Sequence, residues 1–295
     1  MANDIIDLDH LMFNCFSAER TERRLNQMGF KVRGFRPIPP MGGGDAGGSG
    51  GSLVVMFKGA NDACANFLEF SVCDHAFAHP VMRGILKGAE GVGMAVLATD
   101  QPDILHKRWA EQKGEVEHWK FMFPGGDDDT PPIKVAIVLP HAGVFPWPIN
   151  AVWQDDYSSY YNADLQDHPN TTLRMSAVTY VTLKEQFNRD VAGVSAAYGS
   201  GMREAKGAEW VEFTPGKTCM RITTTEMLHK RWPVLSEPVA VRAPCAAVIS
   251  FDVRDLQVLK STLTDNGIEW KIIDGAVCTH PGDSLNTIFE FKSVS

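Results

Sequence analysis

IIDLDHLMFNCFSAERTERRLNQMGFKVRGF, residues 5–35, contains three predicted elements in a row. Its first twelve residues are apolar and partly alternating, which predicts a strand with one buried face. The following SAERTERRLNQMGF predicts a helix that has Ser17 at its N-cap and Gly29 at its C-terminal end. FKVRGF then predicts a second strand. The N-terminal segment therefore begins as strand, helix, strand.

The next residues complete a unit that the chain repeats. SLVVMFKG (52–59) and NFLEFSV (66–72) predict a hairpin, so the first unit runs strand, helix, strand, strand, strand. The same order returns over residues 91–153, 172–225 and 246–294. Four tandem βαβββ units predict an α+β fold built from repeats.

A polar stretch, YNADLQDHPN (161–170), separates the second unit from the third. Such a stretch is typical of a domain boundary. We therefore predict an N-terminal domain over residues 1–160 and a C-terminal domain over residues 170–295, each made of two units. The third unit follows the order less clearly than the others, and the fourth is compact.

The composition excludes several classes of protein. Apolar residues at 44% and charged residues at 22% are ordinary globular values. The net charge of -8 and the lack of a basic stripe argue against nucleic-acid binding. No apolar run is long enough to span a membrane, and the six cysteines form no CxxC pair. These features predict a cytoplasmic protein with reduced thiols.

Three short motifs carry a family resemblance. Asp9-His10 lies on the first strand, Phe67-Leu68-Glu69-Phe70 forms the last strand of the first unit, and His168-Pro169-Asn170 lies between the halves. In this order the chain resembles the vicinal-oxygen-chelate superfamily, which includes glyoxalases, extradiol dioxygenases and bleomycin-resistance proteins. The resemblance implies that paired modules form two half-open barrels, with a metal ion inside a barrel.

The resemblance also implies which residues hold the ion. His10 and Glu69 match the family's first-strand and fourth-strand ligands, and this pair suits Zn, Mn, Fe, Ni or Co with positions left open for substrate. In the second module the matching positions fall near Gly93 to Ala95 and near Val152 or Gln154. Those residues leave a four-ligand site incomplete.

In the C-terminal half, neither module has both a histidine and a carboxylate at the matching positions. The third module has Arg221 near the carboxylate position, and the fourth has Glu290 there but Ala247 near the histidine position. The resemblance therefore implies that only the first module has both ligands, and that the C-terminal half is a partly degenerate, structural or dimerising copy.

Further candidates come from histidines and aromatic residues. His75, with His79 one helical turn away, is predicted as a third metal ligand, although a surface loop explains the spacing as well. His168 is predicted to act in catalysis together with Glu69, and a structural role for it is equally open. His141 and Trp153 are predicted to line the substrate pocket.

Three functions are consistent with these residues. The first is a metal-dependent lyase or isomerase that acts on a small oxygenated organic substrate through enolate stabilisation, with Glu69 as base. The second is an Fe(II) extradiol-type dioxygenase, which needs two histidines and a carboxylate. The third is a metal-free protein that binds a small hydrophobic molecule. A small-molecule partner is common to all three, and a homodimer is left open.

Overall fold

The structure is a computed structural model of the chain. It describes residues 4–37, 50–58, 64–73, 89–112, 114–123, 132–157, 163–199, 203–207 and 209–294.

The N-terminal half contains two βαβββ modules. The first consists of β1 (Asp7–Asn14), α1 (Ala18–Gln27), β2 (Arg33–Pro37), β3 (Gly50–Met56) and β4 (Phe67–Cys73). The second consists of β5 (Gly91–Ala98), α2 (Pro102–Ala110), β6 (Val116–Phe123), β7 (Ile133–Pro140) and β8 (Ile149–Gln154). A short helix, α3 (Ala163–Gln166), leads to the C-terminal half.

The C-terminal half repeats the plan with an insertion. Its third module consists of β9 (Thr172–Thr182), a 3₁₀ turn (Lys184–Gln186), α4 (Phe187–Tyr198), β10 (Arg203–Lys206), β11 (Trp210–Thr214) and β12 (Cys219–Thr224). Two helices follow, α5 (Thr225–Arg231) and α6 (Glu237–Ala240). The fourth module consists of β13 (Cys245–Val253), α7 (Leu256–Asp265), β14 (Trp270–Ile273), β15 (Ala276–Thr279) and β16 (Ile288–Ser293). The sequence predicted neither β10 nor α5 and α6.

The strands form two eight-stranded mixed sheets with the same order of strands. The first runs β2-β3-β4-β1-β5-β8-β7-β6, and the second runs β10-β11-β12-β9-β13-β16-β15-β14. Modules one and two therefore share a sheet, as do modules three and four. The predicted α+β fold of tandem βαβββ modules in two half-open barrels is confirmed.

Local signals set the helix boundaries. The Ser17 hydroxyl accepts a hydrogen bond from the Arg20 amide at the start of α1, as the N-cap prediction requires. Gly29 ends this helix with a positive φ of 80°. A β-carbon at Gly29 would also lie 2.7 Å from Thr262 and 2.9 Å from Asn170. A larger residue is therefore excluded there by both conformation and space.

The main core lies between the outer faces of the two sheets. Leu11, Phe13 and Phe70 of the first sheet belong to the same buried cluster as Phe251 and Phe289 of the second. Because helices from both halves also contribute side chains to this cluster, the two sheets are fused through one apolar interior.

The His168-Pro169-Asn170 segment joins the halves by hydrogen bonds. The Asn170 side-chain amide donates to the Met28 carbonyl at the end of α1, and its oxygen accepts from the Thr172 amide at the start of β9.

No helix among the described residues is long and apolar enough to cross a membrane.

Candidate metal site

Four β-bulges show which residues of the modules are equivalent. In the β1–β5 pair, Asp9 and Gly93 have no cross-strand partner. In the β9–β13 pair, Ser176 and Ala247 are skipped at the same places. A bulge of this kind adds one residue to a strand. Each module thus carries a bulge residue at an equivalent place in the central strand pair, and β9 has a further irregularity at Leu173.

The residues after these bulges correspond to one another. They are His10, Met94, Ala177 and Val248 in modules one to four. Two residues further along each strand, the parallel neighbour on the module's last strand is Glu69, Asn150, Arg221 or Glu290, in the same order. The predicted equivalence of Glu69 with Val152 or Gln154 was therefore wrong, because the register places Asn150 there. The fourth-module equivalent of His10 is Val248 and not Ala247.

His10 and Glu69 lie together on the inner face of the first sheet. His10 Nε2 is 3.5 Å from Glu69 Oε2, and both side chains are largely buried. The His10 ring stacks on Phe67, with ring centroids 4.1 Å apart. On its other side, His10 Nδ1 is 2.6 Å from Asp9 Oδ1. The imidazole is therefore held between two carboxylates and an aromatic ring.

The 3.5 Å separation suits two ligands of one ion. Two donors about 2.1 Å from an ion at a roughly tetrahedral angle are about 3.4 Å apart. Asn150, on β8, takes the position that Glu69 has in module one, and its Oδ1 is buried without a hydrogen-bond partner. Met94 provides a thioether where the family pattern has a histidine. Within the described ranges no three His, Cys, Asp or Glu side chains cluster as metal ligands.

The half of the inner face that belongs to module two is apolar. It is lined by the side chains of Met94, Val96, Val152, Val135, Ile137, Leu139, Trp119 and Phe121. Beside this wall, Gln154 Oε1 is also buried without a partner. The first half-barrel thus combines a polar end at His10 with an apolar wall.

His168 has no free ring nitrogen to offer to the His10–Glu69 pair. His168 Nε2 donates to the Met56 carbonyl at 2.8 Å, and Nδ1 accepts from the Lys31 amide at 3.1 Å. Burial lowers the pKa of His168 to about 4, so the ring is neutral at neutral pH. Since both nitrogens hold backbone groups, the geometry favours the structural role of the two that the sequence left open.

The two predicted pocket residues lie away from His10. Trp153 follows Val152 on β8, and because side chains alternate along a strand it lies on the opposite face of the sheet. His141 lies at the end of β7, where its Nε2 is 2.6 Å from Glu117 Oε1. His75 lies outside the described residues.

The inner face of the second sheet is filled by its own chain. Leu228, Trp232 and Val239 of the segment 225–240 pack on Val248 and Ile288 in one buried cluster. The segment thus covers the module-four side of this inner face, which corresponds to the module-two wall of the first half-barrel.

Glu290, the counterpart of Glu69, is almost fully buried and ion-paired. Its carboxylate accepts from the Ser250 hydroxyl and from Lys292 Nζ, both at 2.6 Å, and lies 3.3 Å from the Arg231 guanidinium. Its charge is therefore balanced by side chains of its own half, with no histidine beside it.

The fold matches that of several solved structures. No family model matches the chain, and no curated protein matches it. A hypothetical protein from Staphylococcus aureus has a TM-score of 0.62 at 10% identity, with 97% of this chain and 98% of that chain covered. A variant of 4-hydroxymandelate synthase from Streptomyces coelicolor has a TM-score of 0.57 at 12% identity, with 98% and 93% covered.

A third matching structure is that of a metal-bound protein. The Mn(II)-bound glyoxalase from Novosphingobium aromaticivorans has a TM-score of 0.56 at 9% identity, with 99% of this chain and 83% of that chain covered. Together with the sheet order and the bulges, these matches show that the chain has the vicinal-oxygen-chelate fold.

Proposed function

We propose that the chain is a divalent-metal-dependent enzyme of the lyase or isomerase type that acts on a small oxygenated organic molecule. His10 and Glu69 would hold the ion, with the Asn150 amide oxygen as a neutral third donor. The observation that carries the proposal is the 3.5 Å approach of His10 Nε2 to Glu69 Oε2 on the inner face of a half-barrel.

The side chains around the pair have separate tasks. A bound divalent ion would supply Lewis-acid stabilisation of negative charge on substrate oxygens. Glu69, whose side chain is 16% exposed, would leave the ion briefly and act as the base that removes a proton from the carbon next to the substrate carbonyl. The unpartnered oxygen of Gln154 accepts a hydrogen bond from a substrate hydroxyl group. The apolar wall excludes water, which strengthens each of these interactions.

One observation favours this reaction type over the dioxygenase. An extradiol-type iron site needs a second histidine, and the structurally equivalent position carries Met94. The metal-free binding protein is the outcome to expect if the polar pair holds no ion at all.

The first experiment measures bound metal. The wild type and the variants His10→Ala, Glu69→Gln and Glu290→Gln are purified, reconstituted with Zn, Mn, Fe, Ni or Co, dialysed and subjected to elemental analysis. We expect about one equivalent of ion in the wild type and in Glu290→Gln, and loss of the ion in the other two. Glu290→Gln is the matched control because it changes the equivalent carboxylate of the other half-barrel.

The second experiment measures proton abstraction. The reconstituted proteins are incubated in D₂O with hydroxyacetone and with 2-hydroxyacetophenone, and deuterium at the hydroxymethyl carbon next to the carbonyl is measured by NMR. Enolate stabilisation predicts faster exchange with wild type and Glu290→Gln than with Glu69→Gln. A wild type that retains no ion, or that exchanges no faster than Glu69→Gln, would contradict the proposal.

A further inference from the structure

Asp9 is a buried carboxylate next to the metal-site histidine in sequence. It has no exposed surface, and its Oδ1 is 2.6 Å from His10 Nδ1. Its Oδ2 accepts a hydrogen bond from the Ala65 amide at 3.3 Å. Burial of a carboxylate is costly unless hydrogen bonds compensate it. His10 is therefore one of the groups that make this buried position tolerable.

The β-bulge explains how neighbouring residues come to touch. In a regular strand, adjacent side chains lie on opposite faces of the sheet. Asp9 is the residue that the β1–β5 register skips, and the bulge re-aims its side chain toward His10.

The other modules show that the bulge itself does not need a carboxylate. Their bulge residues are Gly93, Ser176 and Ala247, and none of these can ionise. Only the module that has a histidine after the bulge has an aspartate in it. The aspartate therefore occurs together with the histidine, and the bulge geometry does not require it.

We infer that Asp9 is a positioning residue that keeps a proton on His10 Nδ1 and so presents Nε2 to Glu69 and to an ion. The inference rests on the proposed function, because it assigns Asp9 a task in the same site. The atoms support it directly, since Nδ1 meets Asp9 at 2.6 Å while Nε2 lies 3.5 Å from Glu69. A carboxylate behind a ligating imidazole fixes its tautomer and raises its basicity.

The test begins with the metal-free protein. Long-range ¹⁵N–¹H spectra of ¹⁵N-histidine-labelled protein report which ring nitrogen of His10 carries a proton, with the signal assigned by its loss in His10→Ala. We expect a downfield, slowly exchanging Nδ1–H in the wild type and in Glu69→Gln, weakened in Asp9→Asn and lost in Asp9→Ala. An unprotonated Nδ1 in the wild type, or an unchanged signal in Asp9→Ala, would overturn the inference.

Metal affinity gives the second measurement. Removal of such an outer carboxylate typically weakens metal binding 10–100-fold, so Asp9→Ala is expected to lose about that much for Zn(II), and Asp9→Asn less. Asp190→Asn is the matched control, because Asp190 is equally buried but bonds to the Thr182 hydroxyl in the other half. It is expected to lower stability and to leave both the His10 signal and the Zn(II) affinity unchanged.

The two measurements separate the two proposals. A wild type that shows the Nδ1–H signal but takes up no ion contradicts the proposed function and supports the orientation of His10 by Asp9. A wild type that binds the ion with equal affinity after Asp9→Ala contradicts the positioning role alone.

Discussion

The two half-barrels share their strand order and their bulges, yet their inner faces differ. The first carries His10, Glu69 and Asn150, with unpartnered oxygen on the amide. The second is filled by the helical segment 225–240, and its carboxylate, Glu290, is held by Lys292 and Arg231. The same strand order thus supports a polar pair beside an apolar wall in one copy and an inner face covered by helices in the other.

This difference shows that two sheets with the same register can have inner faces of different chemical character. The first and the fourth module both have a carboxylate on the last strand, Glu69 and Glu290, but one faces an imidazole and the other faces two cations. A carboxylate whose charge is balanced by two cations of its own chain is not available to a metal ion. The first half-barrel is therefore distinguished by the His10–Glu69 pair and not by buried groups without a partner, which occur in both halves.

The largest expected effect concerns the packing of the second half-barrel. Trp232→Ala removes a large buried side chain from the segment 225–240, which is expected to lower the free energy of unfolding by about 3–5 kcal/mol. Denaturant unfolding measures this loss, and elemental analysis should find the ion content unchanged. Val234→Ala, at an exposed site in the same segment, should change stability by less than about 0.5 kcal/mol. Loss of the ion in Trp232→Ala would show that the two half-barrels are not functionally separate.

A somewhat smaller effect concerns the segment that joins the halves. Because His168 has a pKa of about 4 when folded and an ordinary value of 6.5, the unfolded chain binds its proton more readily. This contribution to stability is complete above pH 6.5, is lost as the pH falls toward 4, and amounts to about 3 kcal/mol at most. His168→Gln should remove this part of the pH dependence, as measured by urea unfolding at pH 7 and pH 4.5. His280→Gln changes a partly exposed histidine that lies outside the segment joining the halves. This variant should retain the pH dependence of stability that the wild type shows.

The smallest effect concerns the incomplete half of the site. Met94→His restores a histidine at the position equivalent to His10 and should tighten Zn(II) binding about tenfold, or about 1.4 kcal/mol. Competition with a chelator of known affinity measures the change. Val248→His places a histidine beside Glu290 in the other half-barrel and should create no ion site there, since that carboxylate is already paired. A second equivalent of ion in Val248→His would break the comparison.

Much of the fold could be predicted from the sequence because apolar patterning and helix caps act locally. The strand TLRMSAVTYVT matches β9 residue for residue, and the Ser17 cap is formed as expected. β10 was missed because REAK (203–206) is short and polar, without alternation. The helices of segment 225–240 were missed because threonines at 223–225 favour a strand, whereas Thr224 caps α5 here.

The site was only partly predictable for a different physical reason. The pairing of His10 with Glu69 follows from strand order, so the motifs could indicate it. The roles of Asp9 and Asn150 depend on bulges, which shift the register by one residue and leave no mark in the sequence. The sequence could place His168 between the halves. It could not indicate the two backbone groups that form hydrogen bonds with its ring nitrogens.

The fused core behind the two sheets has a consequence for how the chain tolerates change. Outer-face residues such as Phe13 and Phe251 share one interior, so neither half can be excised without exposing its apolar back. The two halves are therefore expected to melt in a single cooperative transition. Substitutions that loosen the half without the polar pair are therefore expected to destabilise the half that carries it.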